Sequence, residues 1–222
     1  MSDIFNEVDE ELRRDKAAEA WNKHGSKLVA LAVLFIAAVA GWRAWQSFSF
    51  NERARLGAAY EAATNLANSE SPDAVAALTA LAEKKSGSYP VLARFRLASD
   101  LARTARDDAA RANAVSAFDS LANDAALPAE WRDLAKLRAA YVLIDHAPLA
   151  DVEARLSPLI STSGAFRHAA REGVALAAYR AKAFDKALDA VQAIILDAET
   201  PSPLRQRAEL LLGVLRSGPV AP

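Results

Sequence analysis

The chain has 222 residues, a formal net charge of −1, 52% hydrophobic residues and no cysteine. The missing cysteine excludes disulfides, thiolate metal sites and cysteine nucleophiles. Residues 51–222 carry 21 basic and 21 acidic groups with no polybasic block, which argues against nucleic acid as the partner, because phosphate binding needs clustered positive charge.

The first 26 residues read as a helical, acidic tail. Strong helix formers dominate it, and Ile4, Phe5, Val8 and Leu12 fall on one face. Such a helix either lies on a membrane or a partner, or is simply solvated ahead of the next segment. Gly25 is expected to interrupt it.

Leu28 to Trp42 then carries no charge over 15 residues, about 22 Å of helix. A hydrocarbon core of ~30 Å needs roughly 20 residues. Extending the run to Phe50 supplies about 34 Å. Lys27, Trp42, Arg43 and Trp45 are the expected membrane-interface residues, since tryptophan suits the headgroup level and arginine snorkels there. Ala38-Val39-Ala40 before Gly41 also fits signal-peptide cleavage, but the long acidic segment ahead of it does not suit an n-region. Five basic residues precede the span (Arg13, Arg14, Lys16, Lys23, Lys27) against Arg43, Arg53 and Arg55 after it. That bias places the N-terminus in the cytoplasm and the remainder across the membrane.

From residue 51 the chain is alanine-rich with helical periodicity and no strand-like alternation. Leu56-Gly57-Ala58-Ala59-Tyr60 is the L-G-x-x-Y core of the first helix of a tetratricopeptide repeat. Weaker copies carry Leu101, Tyr141 (with Arg138 at the small position) and Tyr179. A second-helix stripe recurs in step: Ala74, Leu78, Leu81; Ala114, Phe118, Leu121; Val152, Leu156, Leu159; Ala187, Val191, Ile194. Prolines at 72, 90, 128, 148, 201 and 203 fall at the proposed helix boundaries, while Pro158 falls inside a second helix and predicts a kink or late start. The fold class is therefore all-α: one N-terminal transmembrane helix, then a solenoid of about four helical hairpins and a capping helix near Leu204 to Arg216, with Arg205, Gln206, Arg207 and Glu209 on its wet outer face. The expected boundaries are a cytoplasmic tail at 1–26, an anchor at 27–50, the repeats at 51–217 and a disordered tail at 218–222.

Gly41-Trp42-Arg43-Ala44-Trp45 at the end of the span, followed by degenerate hairpins, resembles the YfgM-type family of ancillary Sec-translocon subunits. The repeats of that family are grouped with those of the periplasmic cell-division coordinator. The resemblance implies a single-pass bacterial inner-membrane protein with its repeats in the periplasm. Its implied partners are the Sec channel and membrane-anchored periplasmic chaperones; a scaffold for envelope or cell-division machinery is the alternative.

No P-loop, zinc-protease, nucleophile-elbow or dinucleotide motif is present, and His24, His146 and His168 lack ligand spacing. The expectation is a protein-binding module, not an enzyme, with no cofactor, no metal and no small-molecule substrate. Phe95, Arg103, Arg132 and Arg180 are the candidate groove residues on the first helices, where arginine and an aromatic suit peptide carboxylates and apolar side chains. The competing reading makes the arginines ordinary surface residues and Phe95 part of the core.

Overall fold

In a computed structural model, the described residues (2–84, 87–161 and 164–217) form helices and short connections, with no strand among them. The expected disordered tail at 218–222 lies outside the described residues, as do the side chains of Ile4, Phe5, Val8 and Leu12. The chain divides into two compact units, Met1–Gly57 and Ala58–Pro222.

The first unit is helical and belongs to α1 (Ser2–Asn68). The helix runs through Gly25, where a break was expected. A lone glycine costs a helix only about 1 kcal/mol against alanine, too little to stop a run of good formers. The Trp21 ring lies over it, 3.2 Å from where a Cβ would stand. Between Trp21 and Asn68, α1 is long and apolar enough to cross a membrane, and its apolar window has no buried residue. Lys27, Trp42, Arg43 and Trp45 are all exposed, and the Trp42 and Trp45 ring centroids lie 5.5 Å apart.

In the second unit the end of α1 leads into α2 (Asp73–Ala82). Then come the pairs α3 (Ser88–Thr104) and α4 (Asp108–Ala122), α5 (Ala129–Leu143) and α6 (Leu149–Leu156), and α7 (Arg167–Arg180) and α8 (Phe184–Leu196), closed by α9 (Ser202–Ser217). Each second helix packs on the first helix of the next hairpin, as α2 does on α3, α4 on α5, α6 on α7 and α8 on α9. Every residue of the four second-helix stripes is buried. Pro128 and Pro148 stand immediately before α5 and α6, where a missing N–H costs nothing. Pro158 ends α6 instead of kinking it: its ring opposes a carbonyl four residues back, and Ser157–Leu159 continues as a 3-10 turn that still buries Leu159.

The core is strung along the stack as successive apolar clusters. One surrounds Phe118 with Val115, Leu121, Leu127 and Ala135. Another surrounds Val152, Leu156 and Leu159 with Leu137 and Ile144. A third joins Ala175, Val191, Ile194 and Ala208. Alanine is the smallest residue that still repels water, and many of the first-helix positions at these contacts are alanine with no exposure. That choice brings helix backbones close enough for the large second-helix side chains to fill the space between them.

Polar contacts join residues about one repeat apart. Arg155 makes a two-point contact with Asp119, 36 residues back, and Lys186 reaches Glu153, 33 back, linking α4 to α6 and α6 to α8. Arg207 makes a two-point contact with Glu172, 35 back, linking α9 to α7. Partly exposed pairs of this kind contribute about 0.2–1 kcal/mol each. The apolar clusters therefore hold the stack, and the ion pairs add modestly to it.

The α9 cap departs from expectation in the same way. Arg205 donates to the carbonyls of Ile195 and, at 2.9 Å, Asp197, capping the end of α8, and Arg207 is tied to Glu172. Only Gln206 and Glu209 of the four expected outer residues are exposed without such a tie among the described residues. A helix C-terminus leaves carbonyls that need donors, and Arg205 supplies two.

The first and fourth hairpins turn alike. Glu70 and Lys182 both take positive φ (56° and 58°) just past a helix end. The amides that follow, Ser71 and Ala183, bond back to Leu66 and Ala178. This is the left-handed stop that glycine usually provides. Lys182→Gly should raise stability by roughly 0.5–1 kcal/mol, since the backbone strain of a Cβ there is relieved. A denaturant melt that moves down instead would contradict this assignment. Glu70 is the poorer test because it also pairs with Arg103.

The buried turn before α9 is built for neutral pH. Asp197 accepts from Arg167 (3.2 Å) and Arg171 (3.0 Å), and its side chain also caps the Glu199 amide. Arg167 first, then the Glu199 amide, holds the carboxyl well below the usual carboxylate range. Thr200 donates to Ile194 O at 2.7 Å, so it accepts from His168 Nδ1 at 3.0 Å. That hydrogen bond fixes the neutral tautomer of His168. Burial first, and then the charge of Arg167, lowers its pKa.

Both groups act in one direction. Below about pH 6.5, the ordinary histidine value, the unfolded chain binds a proton that folded His168 resists. Stability is then lost as pH falls toward the folded value. Asp197 adds a further loss once pH drops below about 4 and toward its lower folded pKa. The melting temperature should fall between pH 7 and pH 5, and His168→Asn should flatten that slope. A flat profile in the parent chain would rule the assignment out.

Candidate functional site

The hairpin stack offers several open surface clefts. The largest, about 750 Å³, has walls from α2, α3 and α4 and includes Val75, Thr79, Leu97, Leu101 and Ala117. Its charged lining is mixed: Arg94, Arg103 and Arg106 stand with Glu70 and Asp100. Asp119 to Arg155 and Glu153 to Lys186 bridge the later second helices, whereas no ion pair among the described residues bridges α2 and α4. A second cleft, about 370 Å³, lies between α3 and α5 and is lined by Arg103, Arg111, Arg138 and His146 with Ala102, Tyr141 and Val142. A third, about 530 Å³, lies between α5, α7 and α9 around Tyr141, Glu172, Leu176 and Arg207. In it the Tyr141 hydroxyl lies 2.9 Å from Ala169 O and 3.2 Å from Glu172, and its one proton is shared between the two acceptors.

The four expected groove residues are not brought together. Phe95 is half-buried and packs on Phe118 and Trp131, with centroids at 6.3 and 5.6 Å. It is an aromatic of the second hairpin's core and not a groove residue. The expected marker of that hairpin, Leu101, is 43% exposed and stands on the wall of the largest cleft. The two positions exchange roles because α3 presents Phe95, not Leu101, to the next hairpin. Arg180 donates to the carbonyls of Asp145 and Ala147 in the preceding hairpin and braces that loop. Arg132 is half-buried, with its Nε buried and unbonded, and lines none of the clefts above. Arg103 alone of the four reaches cleft surfaces, while pairing with Glu70 at 3.3 Å and Asp100 at 3.5 Å.

Arg138 is the cleft residue that the groove reading passed over. In the sequence it stands out as a departure from the small residue expected beside Leu137. That departure was itself the signal, since a long cation at a close-packing position must point out of the contact. No group of three or more His, Asp or Glu side chains placed to hold a metal occurs among the described residues.

Comparison with known families gives a broad match. The tetratricopeptide repeat-like domain matches residues 19–200. It begins ahead of the apolar run and ends just before α9. No curated protein and no solved structure matches the chain. With hairpins in sequence, buried second-helix stripes and a family match over most of its length, the chain belongs to the tetratricopeptide repeat-like domain family.

Proposed function

We propose that the chain is a single-pass inner-membrane protein with its N-terminus in the cytoplasm. Its periplasmic hairpin stack binds proteins at the Sec translocon and assists membrane-bound periplasmic chaperones with secreted chains. The observation that carries this reading is the order of parts. Both the apolar run and the hairpins fall inside the family match over residues 19–200. Gly41-Trp42-Arg43-Ala44-Trp45 closes that run as it does in the translocon-associated family it resembles. Repeat stacks present extended surfaces to other proteins, and the open clefts supply such surfaces here.

The mechanism is tethering. A span fixes the stack near the membrane and raises its effective concentration for partners held there. Lys27 on one side, and Trp42, Arg43 and Trp45 on the other, would seat the span at its two interfaces.

A photo-cross-linker placed at Leu101 in the full chain, in native membranes, tests the proposal. Recovery of translocon or chaperone components supports it. Their failure to appear under conditions that capture known translocon subunits overturns it, and midcell enrichment of the protein would favour a cell-division scaffold instead. Intact mass tests anchor retention, because cutting after Ala40 removes the first 40 residues.

A further inference from the structure

We infer that the exposed face of α9 is a self-association surface, on which a second copy of the chain packs its own α9 in antiparallel register. This pairing is separate from the binding of partners at the clefts and does not depend on it.

α9 is built as a first helix. Leu212-Gly213 followed by Arg216 repeats the frame of Leu56, Gly57 and Tyr60, with Arg216 at the aromatic position 37 residues after Tyr179. The earlier first helices α3, α5 and α7 each pack between two second helices. α9 packs on α8 and touches α7, and no second helix follows it among the described residues.

The side left uncovered is apolar. Ala208 is buried, and Leu204, Leu211, Leu212 and Leu215 pack inward on the Val191 and Ile194 cluster. On the outside, Leu210 is 73% exposed and Val214 40%. With Gly213 they stand at i, i+3 and i+4, so the three share one face. The space over Gly213 is open, since a Cβ there would meet nothing within 4 Å. The end of a helical stack ordinarily carries a polar outer face, because water is its neighbour. Leucine and valine in that place reduce solubility unless something covers them.

Charge names the occupant. Glu209 and Arg216 are exposed, make no ion pair among the described residues and lie seven residues apart along one edge of that face, which is two helical turns. An antiparallel second α9 that crosses near Gly213 brings each Glu209 to an Arg216 of the second copy, and both contacts form at once. A parallel copy would set Glu209 on Glu209 and Arg216 on Arg216, and like charges repel. The antiparallel pair uses the same surface on both copies and closes on itself. Leu210 and Val214 of each copy are then buried in the crossing. A 16-residue helix, about 24 Å long, makes a small interface, so the pairing is weak and concentration-dependent in solution.

The experiment uses the full chain in neutral detergent. Sedimentation over a concentration series should show monomer and dimer in equilibrium. Leu210→Glu should abolish the dimer, with circular dichroism confirming that the helices remain. Glu209→Arg alone, and Arg216→Glu alone, should each weaken association about tenfold, because two attractive contacts become repulsive. An equimolar mixture of those two variants should recover the parent's association, since every cation of one then meets an acid of the other. The chain has no cysteine, so Gly213→Cys should oxidise to a covalent dimer, and Glu61→Cys, exposed in the first hairpin, should not. A monomer at every concentration overturns the assignment. So does a dimer that survives Leu210→Glu, or one that the mixed variants fail to restore. Failure to cross-link translocon or chaperone components at Leu101 would strike the partner reading and leave this pairing in place.

Discussion

Phe118→Ala should destabilise the second and third hairpins by about 3–5 kcal/mol, the scale for removing a fully buried phenylalanine. Phe118 is 1% exposed and is the largest fully buried side chain of the described core. It sits where α4 meets α5, against Val115, Leu121 and Ala135, with Phe95 stacked between it and Trp131. The neighbours are held by helices on both sides, so the space does not collapse cheaply. The loss should be local. In a stack, each hairpin depends on its neighbours and not on the whole. The Val191 and Ile194 cluster under α9 shares no buried residue with the Phe118 cluster. Hydrogen exchange should therefore show α3, α4 and α5 opening at lower denaturant while α7 and α8 keep their protection. A single cooperative loss of protection across all of these helices would show that the hairpins fold as one unit.

The difference between what was and was not legible in the sequence has a physical cause. A second helix touches the core along one stripe, so its period is enough to find Leu78, Phe118, Leu156 and Val191. A first helix has neighbours on two sides, its own partner helix and the previous hairpin, and alanine serves both. Ala93 and Ala98 on α3 are wholly buried, yet nothing in their identity distinguishes them from exposed Ala109 or Ala112. That ambiguity is why the pattern alone leaves Phe95 open between groove and core. It leaves the arginines open for a related reason. On one helix Arg180 looks like a free surface cation, and only the stacking brings it to the Asp145 and Ala147 carbonyls 33 to 35 residues away. The sequence does carry a signal for such contacts. Arg155 with Asp119, Lys186 with Glu153 and Arg207 with Glu172 all stand close to one repeat apart, so opposite charges at the repeat spacing mark inter-hairpin contacts. The cationic cleft was visible only as an anomaly, an arginine at Arg138 where the pattern wanted a small residue.

Gly173→Ala should destabilise the chain by about 1 kcal/mol, and Gly173→Val by about 3 kcal/mol, whereas Gly213→Ala should stabilise it by about 0.5–1 kcal/mol. Both glycines lie inside helices, α7 and α9, so backbone entropy alone favours alanine equally at each. Their surroundings differ. A Cβ on Gly213 would meet nothing within 4 Å, and the propensity gain is kept. A Cβ on Gly173 would lie 2.8 Å from Leu156 Cδ1 and 3.2 Å from Tyr141 Cε2. The tip of a leucine normally gives way, but Leu156 is fully buried and has no room to move into. Tyr141 is pinned through its hydroxyl to Ala169 O and Glu172. Neither neighbour can yield by the necessary few tenths of an ångström without opening the contact of α5 and α6 with α7, and the branched valine makes that certain. The L-G-x-x-Y frame points to Gly57 as the glycine of the repeat; Gly173, outside any such frame, is a glycine against which another hairpin closes. Chemical melts of the three variants decide the matter by sign. If Gly173→Ala is stabilised as Gly213→Ala is, the third and fourth hairpins are not in the close contact on which the register of the stack depends.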